Sequence, residues 1–225
     1  MTRIVKDYNV RRNEILDVAQ RLFHRKGFEP TAIQDIVDDV GVAKGTFYHY
    51  FISKMDLLDA LIERMLSQTL KSVEPIVDDD QLNAPEKFTA FFAHLHSWKI
   101  ENKAFFLDVL RVWQKDENAI FRHKLRVMSG RSVVPLLTQI IHQGVAEGVF
   151  VTDYPDDLGE ILLQIGQSVS ETVSELLLRM EKDDHTLDIV ARKVTVYEHA
   201  VERLLGAPSG TLNIFDFNLV KLWFD

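Results

Sequence analysis

The chain contains no cysteine at all. That excludes disulfides, thiolate-bound metals and cysteine nucleophiles, although it does not by itself fix a redox compartment. Proline and glycine are sparse, at 6 and 10 of 225 residues, so few points along the chain are forced to turn. No apolar run approaches the length that spans a bilayer, and no charged-then-apolar leader opens the sequence. A cytoplasmic protein with no membrane partner is therefore expected. Phosphate-cradling glycine loops, HExxH, nucleophile elbows and Ser-His-Asp signatures are also missing, so no enzymatic activity is expected. His94 and His96 stand two residues apart, which on a helix separates them by about 200°. Neither a metal nor another cofactor is implied.

What is present is an ordinary globular composition, 46% hydrophobic and 27% charged. The net charge is −8, but it is unevenly spread. Residues 1–55 hold nine Lys/Arg against seven Asp/Glu, whereas the remainder holds seventeen against twenty-seven. Only the N-terminal quarter suits a polyanion; the acidic remainder would be repelled, which orients the approach.

Helical periodicity runs through nearly the whole chain, and strand signals reduce to a short VFV at 149–151. In residues 10–26, Ile15, Leu16, Ala19, Leu22 and Phe23 share one face, and Gly27 is placed to end the helix. Ser53 is placed to cap a helix from Lys54 to about Ser72, with Asp56 favouring its start. Pro75 and the acidic DDDQLNAP segment read as a break. Further helices are expected near 86–101, 103–114, 118–147, 156–180 and 187–205. The fold class is all-α. Its expected division is a helix-turn-helix domain over residues 1–53 and a helical ligand-binding and dimerisation domain over 54–225.

Residues 27–58 carry the densest signal. Ile33, Ile36 and Val37 repeat at helical spacing behind Thr31, and Thr31 with Gln34 matches a capping box. Gly41 supplies a sharp turn. Val42 and Phe47 then face inward, leaving Lys44, Gly45, Thr46, Tyr48 and His49 on the outside of a short second helix. A basic, small and aromatic surface of this kind suits a groove lined with phosphates. A glycine inside a helix costs about 1 kcal/mol against alanine, so Gly45 points to something that needs the space.

The stretch GVAKGTFYHYFISKMDLL resembles the TetR family of bacterial regulators, over about the first 60 residues. Gly41, Lys44, Gly45, Phe47, Tyr48, Tyr50, Phe51 and Lys54 carry the likeness. Ala32 and Ala43 stand where the family often has hydroxyl residues, so contacts at those two positions are not carried over. The resemblance implies that Lys44, Gly45, Thr46, Tyr48 and His49 meet the major groove of double-stranded DNA. Lys54 would pair with a phosphate beside the N-terminus of the next helix, and Gln34 would make a backbone contact. Tyr50 and Phe51 read as packing residues.

Two later helices carry an association signal. Leu158, Leu162, Ile165, Val169, Thr172 and Leu176 alternate spacings of four and three, as do Val190, Val194, Tyr197, Val201 and Leu204. In a TetR-like chain such seams suggest a four-helix homodimer interface, aided by the small-residue row Gly166, Ser170 and Ser174. Intramolecular packing is the other reading. A two-fold dimer would require a palindromic operator. Residues 88–113 are dense in aromatic side chains, which describes either a helical core or a small-molecule pocket. The resemblance implies an unidentified small-molecule effector, apolar or aromatic, and the candidate residues are Met65, Thr69, His96, Arg111, Trp113 and Gln139. Met65 and Thr69 lie on the helix expected to join pocket to reader. The tail LNIFDFNLVKLWFD, 212–225, reads as an added helix on the ligand domain or dimer seam, or as a cover for the pocket. Repression of transcription by a homodimer is the expected function. A TetR-like DNA-binding protein without an effector, or a helical ligand-binding protein or enzyme with a vestigial helix-turn-helix, remain as alternatives.

Overall fold

Nine helices account for nearly all of residues 7–114, 119–179, 184–215 and 222, which the computed structural model describes. They are α1 (Tyr8–Lys26), α2 (Ile33–Val40), α3 (Lys44–Tyr50), α4 (Lys54–Val77) and α5 (Ala84–Glu101), then α6 (Lys103–Trp113), α7 (Ala119–Ala146), α8 (Pro155–Arg179) and α9 (Asp184–Leu205). No strand occurs among the described residues, and the VFV segment is irregular. No described helix is long and apolar enough to cross a membrane. The chain forms two compact units: Met1–Ser67 with Ala104–Lys115, and Gln68–Lys103 with Asp116–Asp225. The division falls inside α4 and at the start of α6, whereas the expected boundary lay between 53 and 54.

In the first unit, α1 begins where the Asp7 carboxylate accepts from the Asn9 amide at 2.9 Å. It buries Ile15, Leu16, Val18, Ala19, Leu22 and Phe23. Gly41 ends α2 in the left-handed conformation, φ 72° and ψ 42°, with its amide reaching back to Asp38 and Val37. A residue with a Cβ is strained there, and the reversal into α3 depends on it. The capping box expected of Thr31 and Gln34 is not made. Ala32 is the N-cap residue of α2, and Asp35 accepts from its amide at 3.0 Å. Thr31 is fully buried and donates its hydroxyl to the Gly27 carbonyl at 2.7 Å. Burial decides the matter: a hydroxyl turned inward satisfies the preceding loop, not the following helix. Ser53 does cap α4, accepting from the Asp56 amide at 3.0 Å, while Asp56 accepts from Ile52 at 2.9 Å.

Pro75 does not break α4, which continues to Val77. A proline removes one donor, and here it lies near the helix end. The last turn is held by Lys87, a buried lysine whose ammonium donates to the Val77 carbonyl at 2.6 Å. A cation there also meets the negative end of the helix dipole.

In the second unit, α5 opens with a reciprocal capping box between Asn83 and Glu86. Helices α7, α8 and α9 pack in succession, with Leu137, Ile140, Ile141, Leu162 and Val201 fully buried. Phe150, at the foot of α7, turns back onto Gly144. A Cβ at Gly144 would stand 2.0 Å from the Phe150 ring. The rest of the expected tail helix lies outside the described residues but for Leu222, while residues 212–215, beyond α9, form a strap without regular structure. Their amides are taken by acceptors on two helices: Leu212 donates to Glu202 at 3.1 Å, Asn213 to Thr89 at 3.3 Å, and Ile214 to Glu198 at 2.7 Å. Of the apolar positions expected to share a helical face, Phe215 belongs to this strap and Leu222 is exposed. Leu219 and Trp223 lie outside the described residues.

Replacing Gly144 with alanine should cost about 1–3 kcal/mol of stability, the usual penalty for overpacking. Urea melts of Gly144→Ala would check this, and an unchanged midpoint would mean that Phe150 can swing away.

Candidate nucleic-acid interface

The second helix of the motif, α3, has one inward anchor. Phe47 is fully buried, its ring 5.9 Å from the buried Phe51. Lys44, Gly45, Tyr48 and His49 are exposed and Thr46 is half-buried, so one outward face carries most of the expected reading residues. A Cβ added at Gly45 would meet nothing within 4 Å. No neighbour among the described residues therefore accounts for this exposed glycine. The N-cap residue Ala43 offers no side chain to the first amides of the helix.

The acidic residues of α2 are each engaged locally. Asp38 accepts from Gln34 at 2.7 Å, Asp39 pairs with Arg21 at 2.7 Å, and Asp35 lies 3.2 Å from Lys26. The bond from the Ala32 amide, and then Lys26, hold the Asp35 carboxyl below its ordinary range. Gln34 is exposed as expected, but its amide is bonded to Asp38.

Lys54 requires correction. Its ammonium donates to the carbonyls of Phe28, Glu29 and Thr31 at 2.9, 3.2 and 3.1 Å. It also sits 4.3 Å from the centre of the Phe28 ring. An ammonium has three protons, and three carbonyls of the α1–α2 loop take them. Lys54 therefore fastens that loop to the start of α4, in place of the expected phosphate contact.

Tyr8 was not foreseen. Its ring lies 4.7 Å from Tyr50 and 5.9 Å from His49, and Tyr50 and His49 are 5.1 Å apart. One turn on, the Arg12 guanidinium stands 5.2 Å from the Phe51 ring. The expected helix began at residue 10, which left Tyr8 in a leader. The available signal was Asp7, an N-cap residue type immediately before it.

The expected effector residues fall in both units, Met65, Arg111 and Trp113 in the first and Thr69, His96 and Gln139 in the second. Arg111 is exposed and pairs with Asp108 at 2.7 Å, within the first unit. Gln139 is exposed on α7 and donates to Asp78 at 3.0 Å. Both polar groups turn to water and a carboxylate, as desolvation favours, so neither lines an interior site. Met65 and Thr69 are buried, one in each unit. The Trp113 side chain lies outside the described residues. His96 stands in an aromatic setting: Phe215 stacks on its ring at 4.4 Å and 24°, and Tyr197 meets Phe215 edge-on at 5.9 Å. Burial, and then the charge of Lys99, push His96 from 6.5 down to about 3 against an opposing bond with the Ile214 backbone. The Tyr197 hydroxyl is pushed up by burial, and it donates to the Leu162 carbonyl at 3.3 Å.

The residues of the expected dimer seam divide by burial. Leu158, Leu162, Val190, Val194, Tyr197 and Val201 are buried within one chain. Ile165, Val169, Thr172 and Leu176 are half-buried, and Leu204 is exposed. Part of the heptad spacing thus records the packing of α8 on α9 within one chain. Gly166, expected to admit another subunit, lies against the Tyr197 ring of the same chain. The apolar side chains left facing water on these helices are Ile161, Val196 and Leu204, at 43%, 62% and 38% exposure.

Comparison with known proteins bears on both units. Residues 15–61 match the model of "Bacterial regulatory proteins, tetR family", and residues 108–199 match "Tetracyclin repressor-like, C-terminal domain". The HTH-type transcriptional repressor KstR2 of Mycobacterium tuberculosis is 35% identical over 78 residues, 35% of this chain and 39% of that protein. The chain thus matches about two fifths of the length of that relative. KstR2 of Mycolicibacterium smegmatis is 26% identical over 149 residues, 66% of this chain and 71% of that protein. Among solved structures, a transcriptional regulator from Cytophaga hutchinsonii is similar with a TM-score of 0.67 and 17% identity, covering 88% of this chain and 100% of that one. A TetR-family regulator from Pectobacterium atrosepticum gives 0.64 and 18%, with 90% and 100% covered. At these identities the two structures speak for the fold.

Two outcomes follow from the geometry. Lys54→Met strips three carbonyls of a charged donor and should cost about 1.5–3 kcal/mol in thermal or urea melts. Full stability with a shallower salt dependence of DNA binding would restore the phosphate role. For His96, the unfolded chain binds a proton between pH 6.5 and about 3 that the folded protein refuses. Stability therefore falls as pH is lowered through that window, by up to about 1.4 kcal/mol per pH unit. Urea melts of His96→Gln against the parent should show a flatter decline, and parallel declines would refute the assignment.

Proposed function

Because this chain belongs to the TetR family of bacterial transcriptional regulators, we propose that it is a DNA-binding repressor that acts as a homodimer on a palindromic operator. The observation that carries the reading is the exposed face of α3, with Lys44, Gly45, Tyr48 and His49 outward over a buried Phe47. Lys44 and Thr46 supply donors to bases or phosphates, Tyr48 and His49 supply donors to phosphates, and Gly45 permits close approach to the groove. Gln34 reaches the backbone beside them once its bond to Asp38 is exchanged. The relatives named as repressors support the direction of regulation.

The homodimer forms through the outward sides of α8 and α9, with Ile161, Val196 and Leu204 at its centre. Burying apolar side chains that one chain leaves in water is the driving force. Two-fold pairing then presents two α3 helices to two half-sites. A small apolar or aromatic effector releases the operator by binding the DNA-incompetent arrangement more tightly, for which about 1–3 kcal/mol of coupling is typical. One observation favours a second reading, a regulator of this type without an effector. The place beside His96 is already filled by the chain's own Phe215.

Fluorescence anisotropy on labelled DNA from upstream of the protein's own gene, across a salt series, tests the main reading. A palindromic site should be bound specifically, and Lys44→Ala should weaken binding and reduce the salt slope by about one. Weak binding to any DNA that vanishes with salt would overturn sequence-specific repression at this site.

A further inference from the structure

We propose that Tyr8, which precedes the helix-turn-helix, is a positioning residue for DNA reading: it holds His49 edge-on, in the orientation in which His49 meets DNA. The inference rests on the DNA-reading role proposed for α3 and adds a residue to it. Three rings form a closed triangle. Tyr8 and His49 meet at 80° with centroids 5.9 Å apart, His49 and Tyr50 at 81° and 5.1 Å, and Tyr8 and Tyr50 at 40° and 4.7 Å. The two contacts of His49 fall in the range where the edge of one ring meets the face of another favourably, and the Tyr8–Tyr50 pair is tilted.

The triangle is tethered at both ends. Tyr50 is half-buried and ends α3. Tyr8 is the first residue of α1, and Asp7 fixes that turn by accepting from Asn9. Arg12, one turn later, rests on the buried Phe51 and holds the same stretch of α1 against the end of α3. His49 is exposed, yet it is in contact with two rings that are themselves packed together. An exposed histidine without such neighbours would sample several rotamers and lose that freedom on binding DNA. Here the freedom is lost on folding, so the nitrogens of His49 are aimed beforehand.

Tyr8 is itself 49% exposed, so its hydroxyl could also touch a phosphate directly, and the test must separate the two roles. Anisotropy would be measured on the operator and on unrelated DNA for the full-length protein, with Tyr8→Ala, Tyr8→Phe, His49→Ala and the double variant Tyr8→Ala/His49→Ala. Positioning predicts that Tyr8→Ala weakens operator binding about three- to tenfold, the scale of ordering one side chain. Tyr8→Phe, which keeps the ring, should bind as the parent does. The double variant should bind no more weakly than His49→Ala, and the salt slope should not change with Tyr8→Ala. Parental binding by Tyr8→Ala, additive losses in the double variant, or a loss in Tyr8→Phe equal to that in Tyr8→Ala would each overturn positioning. Melting temperatures establish that each variant is folded, and Tyr8→Phe keeps the test decisive if Tyr8→Ala is not. A parent protein with no preference for any operator would instead remove the DNA-reading role, and this inference with it.

Discussion

The reading helix cannot exist alone. At seven residues, α3 is well short of the roughly twelve to fifteen at which even favourable sequences become marginally helical in water. Its stability comes from outside: Phe47 packed on Phe51, the left-handed turn at Gly41, and the start of α4 immediately behind it. Every outward residue of α3 depends on that single buried ring for its direction. Around it, Lys54 binds three loop carbonyls and Thr31 a fourth, so the loop from α1 to α2 is fixed by side-chain donors where no regular structure supplies them. Backbone groups of a partly buried loop must find partners, and here a residue mistaken for a DNA ligand provides them.

The second unit uses the same device with the charges reversed. Residues 212–215 have no regular structure, and their amides go to Glu202, Thr89 and Glu198. Carboxylates accepting from backbone N–H make strong bonds, and Glu202 is itself buried. The strap delivers Phe215 to His96 and Tyr197, joining α5 to α9 through aromatic contact. A position with the composition of a ligand site is thus occupied by the protein's own terminus.

Legibility from sequence differed sharply between residues. The all-α fold, the turn at Gly41, the Ser53 cap and the inward Phe47 were readable because each is set by local chemistry: period, positive φ, capping distance. Thr31 and Gln34 matched a capping pattern, yet burial of the Thr31 hydroxyl turned it to Gly27, and Asp35 took the reciprocal role. The heptads of α8 and α9 show that a helix face is buried and not against which chain, and six of the eleven positions are buried within one chain. Arg111 and Gln139 were chosen for reach and polarity. A carboxylate three residues away and another across the fold, respectively, decided where they point.

The sequence alone determined that the chain is helical, that its basic quarter carries an outward basic and aromatic helix, and that no thiol chemistry is possible. These follow from residue types and from spacings of a few positions. Tertiary structure alone decided the bonds of Lys54, the packing of Tyr197 on Leu162 and Gly166, the anchoring of residues 212–215, and the placing of Tyr8 beside His49. Those contacts join residues separated by 10 to 124 positions. Only the folded path of the backbone brings such residues within bonding distance.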